Sequence, residues 1–203
     1  MSFKKQIKII LIIACATMVS SHQAEAVSKR VSSPNVSKGL GVDTRGSFST
    51  DDEDADDFRN NFQVTYGLTD RFRVSADTDY RKKAGSDAEF TNSDIEMKYV
   101  LHKTDNLGLS FGAGYEFNHI GNSDAVGAAF NGEYKIGKWK HQGNISLERE
   151  VGDEAERGVD FEFRTGHYYK IEPVEVGVEY FADFGNSRES NDFEEQEHHI
   201  GPV

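Results

Sequence analysis

Charged side chains recur at every second position along much of the chain, and this spacing places them on one face of a β-strand. Carboxylates and guanidinium groups are costly in hydrocarbon, so such a face must line water or pair its charges with one another. We expect this face to form a polar interior, or lumen, lined by Arg71, Arg73, Asp77, Asp79, Glu96, Lys98, Glu116, Glu133, Lys135, Glu148, Glu150, Asp160, Glu162, Arg164, Glu175 and Glu179. With Arg59, which shares their register, these residues comprise eleven acids and six bases.

Two other groups of residues have side chains that could do chemistry. His119 and Ser123 place a base and a nucleophile in one predicted loop, as a membrane-embedded lipid hydrolase would require, but no acid is positioned to orient the histidine. The acidic run at 51–57 lacks the glycine and the distal glutamate of an EF-hand loop, and a solvated loop also explains it. We therefore predict no enzyme activity, no resident metal and no cofactor, and we keep divalent cations as partners of the acidic loops.

The elements that position these residues are predicted to be β-strands. Apolar and polar residues alternate repeatedly from about residue 38 onward, and no window shows the spacing of an amphipathic helix. Most of the alternating segments are about 10–13 residues long, which exceeds the usual strand of a soluble protein and suits a tilted membrane-spanning strand. The expected strands lie at about 40–49, 58–68, 71–80, 94–102, 107–118, 126–136, 139–151, 159–171 and 174–184, with a short tenth segment at 198–203.

The predicted connections alternate in length along the chain. Tight turns are expected at 68–71, 102–106, 137–138 and 170–173. Longer, polar and mostly acidic loops are expected at 50–57, 81–92, 118–125, 152–158 and 185–195. Short turns at one end and long loops at the other are typical of outer-membrane barrels, whose short turns are periplasmic.

Aromatic residues on the apolar register fall near the strand ends, where the boundary between lipid and water would lie. Near the short turns are Tyr66, Phe72, Tyr99, Tyr134, Trp139 and Tyr169. Near the long loops are Phe58, Tyr80, Phe117, Phe161 and Phe184. The alternative is a soluble, lipocalin-like barrel whose apolar face points inward over a ligand cavity, because alternation alone does not decide which face is inside.

The first 26 residues have the pattern of a secretory signal peptide. Three lysines within the first eight residues precede an apolar stretch at 9–19, and 24–26 (Ala-Glu-Ala) fits the cleavage rule. Eleven apolar residues are too few to span a bilayer as a helix. We expect cleavage there, a periplasmic leader at 27–37 and a barrel at 38–203. The alternative is a lipoprotein signal with Cys15, the one cysteine of the chain, as the lipidated residue.

The composition excludes two classes of protein. The chain of 203 residues has a formal net charge of −12, which argues against nucleic acid as a partner, since binding to phosphates needs a basic surface. It contains one long apolar run, so it is not a polytopic helical membrane protein. Barrel strands that alternate average out to a polar composition and are compatible with these values.

Segment 66–74, Tyr-Gly-Leu-Thr-Asp-Arg-Phe-Arg-Val, resembles a hairpin of outer-membrane channel proteins of the phenol-degradation MetA-like family. Segment 198–203, His-His-Ile-Gly-Pro-Val, looks like an internal strand of such barrels. The resemblance implies an outer-membrane channel for small molecules, hydrophobic ones among them. Family members usually finish on a strand with an aromatic last residue, and bacterial barrels have an even number of strands.

The last segment departs from that pattern because Pro202 removes a donor from the strand ladder, which suits only an edge. We therefore expect a chain that is incomplete at its C-terminus, with about ten strands visible and twelve in the complete protein. A complete ten-stranded barrel with a poor last strand is the alternative.

The sequence thus predicts an all-β, antiparallel outer-membrane β-barrel of a Gram-negative bacterium, surrounded by outer-membrane lipids and lipopolysaccharide. We expect a channel or porin for small molecules, with a lumen whose excess of acids favours cations. Four acids are expected along the path: Glu116, Glu133, Glu148 and Glu162. Three arginines are expected to form a constriction or gate: Arg71, Arg73 and Arg164. The alternatives are a non-conducting structural or adhesive barrel with paired lumen charges, and a membrane-embedded lipid hydrolase.

Overall fold

A computed structural model describes residues 31–48, 58–83, 85–121, 123–153, 155–188 and 196–203. The predicted signal peptide at 1–26, Cys15 and the acidic run at 51–57 lie outside these residues, so the expectations for them stay predictions. The described residues contain no helix with the length and apolar character needed to cross a membrane.

Ten antiparallel β-strands form one curled, half-barrel sheet in which each strand pairs with its neighbours in sequence. The strands are β1 Gly39–Phe48, β2 Phe58–Gly67, β3 Phe72–Lys82, β4 Ala88–Lys103, β5 Leu107–Asn118, β6 Asp124–Ile136, β7 Trp139–Val151, β8 Asp160–Ile171, β9 Val174–Asn186 and β10 Glu197–Pro202. The predicted all-β class and the antiparallel order are confirmed. Within the described residues, β1 and β10 are the two edges of the sheet.

The connections define two ends of the sheet. Turns at 68–71, 104–106, 137–138 and 172–173 lie at one end, which we call the short-turn end. At the other end of the sheet, which we call the long-loop end, β1 ends and β2 begins, as do β3 and β4, β5 and β6, β7 and β8, and β9 and β10. The turn at 137–138 has two residues, and Gly137 adopts φ +59°, the left-handed conformation that such hairpins require.

The prediction of a long loop at 81–92 is wrong, because β3 continues to Lys82 and β4 already begins at Ala88. Aromatic packing accounts for the extension: the Tyr80 ring contacts Phe58 and Phe90 edge-on, with centroids 6.2 and 5.7 Å apart. A register shift after Asp79 accompanies it. The irregularity hides the alternation, since a bulge moves the side chains that follow it to the opposite phase of the period-two pattern.

The strands expose apolar side chains and bury polar ones, which is the reverse of the arrangement in a water-soluble protein. The outward face exposes large apolar side chains, among them Leu40, Phe62, Met97, Leu109, Phe130, Ile145 and Val178. The inward face buries polar ones: Gln63, Ser75, Lys98, Ser110, Asn131, Glu133, Gln142, Asn144 and Glu179. The apolar face is therefore the outer face, which is not the arrangement of a soluble, lipocalin-like barrel.

The hairpin between β6 and β7 gives a test of the fold. A methyl group added at Gly137 or at Gly143 meets no atom closer than 4.0 Å, but only Gly137 has a positive φ. Gly137→Ala should lower the free energy of unfolding by about 1 kcal/mol, since an L-residue is strained in that conformation. Gly143→Ala, in extended backbone, should not lower it. Denaturant unfolding followed by the fluorescence of Trp139, the one tryptophan, measures both; equal effects would contradict the hairpin geometry.

Candidate functional site

The concave side of the sheet encloses a cavity of about 1020 Å³ that is lined by all strands from β1 to β9. Ten carboxylates line it: Asp43, Asp77, Asp79, Asp94, Glu96, Glu116, Glu148, Asp160, Glu162 and Asp183. Three guanidinium groups do so as well, those of Arg45, Arg73 and Arg164. Ten acids against three bases give the lining a formal excess of seven acidic side chains.

The structure brings nine of the sixteen predicted lumen residues to this cavity: Arg73, Asp77, Asp79, Glu96, Glu116, Glu148, Asp160, Glu162 and Arg164. Six others share the inward register but lie nearer the strand ends or deeper in the sheet: Lys98, Glu133, Lys135, Glu150, Glu175 and Glu179. Arg71 lies in the exposed turn at 68–71, before β3 begins, and not on the cavity wall. It is therefore not placed to form the expected constriction with the other two arginines.

Each arginine of the cavity has a carboxylate partner. Arg73 is 3.0 Å from Glu96, and Arg164 contacts Glu162, two residues earlier on the same strand. Arg45 of β1 lies 3.9 Å from Glu179 of β9, so an ion pair joins two strands at opposite sides of the sheet. This contact links the edge strand β1 to β9 across the interior of the curled sheet.

Three of the remaining acids form a row across neighbouring strands. Asp77 of β3 is directly opposite Asp94 of β4, and Asp94 is directly opposite Glu116 of β5. Amide side chains contact the edge of this row: Asn61 donates to Asp79 at 2.9 Å and Gln63 donates to Asp77 at 3.0 Å. Like charges opposite one another destabilise a sheet, so this row is costly for the fold. Residues that lower the stability of their own fold, as these facing acids do, are typical of a functional site.

Sequence reasoning missed four charged residues of the cavity, for identifiable reasons. Asp94 precedes Glu96 by two positions and shares its face, so the alternation itself was a usable signal. Asp43 and Arg45 lie in β1, whose alternation is weak. Asp183 follows Phe181, an aromatic residue that is buried on the inward face and interrupts the polar pattern of β9.

The half of the interior nearest the short turns is occupied by residues 31–37, which precede β1. Val31, Pro34 and Val36 of this segment are buried, and Val31 packs against Phe181. The backbone of Ser32 is held twice by Asn144, whose amide accepts from Ser32 N at 2.6 Å and donates to Ser32 O at 2.8 Å. Val31, Ser32 and Ser33 also line the floor of the acidic cavity.

Two charged side chains of the wall bind the same segment. Lys98, only 1% exposed, donates to the Ser32 hydroxyl and to the Ser33 carbonyl. Glu133 accepts a hydrogen bond of 2.7 Å from the Asn35 amide, and its other oxygen accepts from Gln142 at 2.6 Å. The predicted leader at 27–37 therefore has, in its described part, a definite place inside the sheet. The sequence did not predict this position. The segment has no alternating pattern, and its contacts join residues about 65 to 112 positions apart.

The predicted aromatic girdles lie at the strand ends on the outward register. Near the short turns, Tyr66, Tyr99, Tyr134 and Trp139 are exposed, whereas Phe72 and Tyr169 are half-buried. Trp139 and Tyr169 pack edge to face with centroids 4.9 Å apart. Near the long loops, Phe117 is exposed, Tyr80 is half-buried against Phe58, and Phe161 and Phe184 pack together at 5.3 Å.

The second candidate group, His119 and Ser123, lies in the connection between β5 and β6 at the long-loop end. His119 Nε2 lies 3.0 Å from the Oγ of Ser93, a residue of β4, and both belong to an exposed contact at the long-loop end. Among the described residues, no cluster of three or more histidine, cysteine or acidic side chains is arranged to hold a metal ion.

The row of acids gives a second test. Asp94→Asn replaces the central acid between Asp77 and Glu116 by a neutral amide, so it should raise the free energy of unfolding by about 0.5 kcal/mol or more at neutral pH. Glu96→Gln, two positions along the same face, is the matched control and should lower it, because Glu96 pairs with Arg73. Denaturant titration of both variants measures the difference. A destabilised Asp94→Asn variant would contradict the repulsive row.

The chain matches no protein-family model, no curated protein and no solved structure. The likeness of segment 66–74 to a MetA-like hairpin therefore stays a prediction. What can be concluded about function rests on three features of the described residues: the apolar outer face, the acidic cavity and the segment at 31–37.

Proposed function

We propose that this protein is an outer-membrane β-barrel channel that admits small cations and small cationic solutes to an acidic lumen from its long-loop end. The single observation that carries the proposal is the reversed burial of the strands. Large apolar side chains such as Phe130 and Ile145 point outward, while Lys98, Glu133 and Asn144 are buried inside. A membrane barrel has this arrangement because its outer face contacts hydrocarbon and its inner face contacts water.

Exposure to water would be unfavourable for the outer face. Apolar residues project outward from successive strands, and contiguous patches of this kind on soluble proteins rarely exceed a few hundred Å². In a bilayer the same residues would form the apolar band, and the aromatic residues near both strand ends would lie at its two boundaries. The strands from β2 to β9 have 10 to 16 residues, enough to cross the apolar core at a tilt.

Closure of the sheet is required by the same environment. Unpaired backbone groups of an edge strand are costly in hydrocarbon, so β1 and β10 need partners in a membrane. The Arg45–Glu179 contact shows that β1 and β9 already approach each other across the lumen.

The cargo is inferred from the charge of the cavity. Ten carboxylates and three arginines line it, and each arginine is engaged by a carboxylate. The net negative field concentrates cations and repels anions within the low-dielectric wall. The cavity of about 1020 Å³ has room for hydrated ions and for small organic cations.

A second candidate function, a non-conducting structural barrel, is favoured by one observation. Residues 31–37 fill the short-turn half of the interior and are hydrogen-bonded to the wall. In that arrangement the acidic cavity is a vestibule with a floor. The two functions differ in whether ions pass when this segment is displaced.

The orientation of the outer face can be tested by one substitution at two depths. Ile145 lies at the middle of β7 and Ile136 at the short-turn end of β6, and both are exposed on the outer face. In lipid, Ile145→Arg should cost about 2–4 kcal/mol of folding free energy, whereas Ile136→Arg should cost about 1 kcal/mol or less. Folding titrations in lipid vesicles measure both values. Equal, small costs would contradict a membrane-facing surface.

The charge of the cavity can be tested by ion selectivity. We expect planar-bilayer recordings of the refolded protein to show cation-preferring steps, with heat-modifiable migration confirming the barrel. A triple variant, Asp94→Asn with Glu116→Gln and Glu148→Gln, should shift the reversal potential in a KCl gradient toward zero.

The matched control removes two charges from exposed turns at the short-turn end, Asp70→Asn with Asp105→Asn, and should leave the reversal potential unchanged. Glu133 is left intact in both variants because it binds residues 31–37. Anion-preferring steps would contradict the acidic path. A folded barrel that stays silent even after displacement of residues 31–37 would favour the structural alternative.

A further inference from the structure

We propose that residues 31–37 are a plug that closes the short-turn end of the lumen, and that its release from Lys98, Glu133 and Asn144 opens the path. This inference rests on the proposed barrel and adds to it a gate. It also assigns the walls of the short-turn half of the path, since Lys98 and Glu133 would line it once the plug has left.

The fit of the segment to the wall supports a closing role. Pro34 is among the most deeply buried residues of the protein, and its Cγ lies 3.0 Å from the position that a Cβ at Gly108 would occupy. A side chain at Gly108 would therefore collide with the plug, so the glycine makes room for it. Val31 packs on Phe181 of β9, so the segment contacts walls on β4 to β7 and also on β9.

The nature of the contacts supports release. The segment has no strand or helix structure, and the bonds that hold it run mainly to side chains: Lys98, Glu133 and Asn144. These groups regain hydrogen bonds to water when the segment leaves, so the net cost of each lost bond is small. The segment joins β1 at Gly39, whose φ of +103° turns the chain from the interior into the strand. Glycine at that position gives the plug a conformationally permissive hinge.

The first experiment locks the plug with a disulfide. The Cβ position at Gly108 is 3.7 Å from Pro34 Cβ, which is the separation that disulfides prefer. The double variant Pro34→Cys with Gly108→Cys is made in a Cys15→Ser background, which removes the natural thiol. We expect the oxidised protein to be silent in planar bilayers and the same molecules to open after reduction. Pro34→Cys alone, treated identically, should not respond to oxidant.

The second experiment follows the plug without relying on ion flow. Ser110 is 1% exposed, and its hydroxyl accepts a hydrogen bond from the Asn131 amide. Asn131 in turn accepts from the Asn144 amide, which also donates to the Ser32 carbonyl of the plug. A Ser110→Cys variant in the Cys15→Ser background should react slowly with a water-soluble maleimide. Adding Ser32→Ala and Asn35→Ala removes plug bonds while leaving the wall intact, and should raise the labelling rate roughly tenfold.

The outcomes separate the gate from the channel. Faster labelling together with reduction-dependent currents supports both. Faster labelling of a barrel that stays silent supports the plug and counts against conduction, hence against the proposed function. Labelling that is unchanged by the two alanines, or currents that are equal before and after reduction of a formed disulfide, would overturn the plug.

Discussion

The structure depends on one constraint: strands β1 to β9 turn a mainly polar face inward, and the polar groups of that face must be satisfied with few apolar side chains beside them. Buried polar groups without partners are costly, so the interior has to supply hydrogen bonds, ion pairs or water. The two halves of the sheet meet this requirement differently. Amides, hydroxyls, Lys98 and Glu133 form a connected network near the short turns, whereas carboxylates surround an open cavity near the long loops.

The difference between the halves explains where the segment at 31–37 lies. A chain without regular structure exposes both amide and carbonyl groups, so its binding site must offer acceptors and donors together. Asn144 does both for Ser32, and Lys98 donates to the Ser33 carbonyl. A wall of carboxylates offers acceptors alone. The segment is therefore matched to the mixed network and leaves the acidic half open to solvent and cations.

Periodicity made the fold predictable because a strand with one polar face repeats every two residues. The bounds of β5 and β7 follow directly from that pattern. It failed where the period breaks: the bulge after Asp79 concealed the start of β4, and the inward Phe181 concealed Asp183. The position of residues 31–37 inside the sheet could not be predicted from the sequence. The residues that bind this segment are distant in the chain, and the segment itself has no alternating pattern.

The row of Asp77, Asp94 and Glu116 links stability to function. Pairing each acid with a base would stabilise the sheet, and the ion pairs of Arg73 and Arg164 show that the fold accommodates such pairs. Leaving three acids directly opposite one another keeps a negative field in the cavity, at a cost that other contacts must offset. The plug beneath them is held by side chains of both charges and by amides. Cations gathered above it would meet Lys98 only after the segment has moved, so that residue becomes a barrier to them in the opened path.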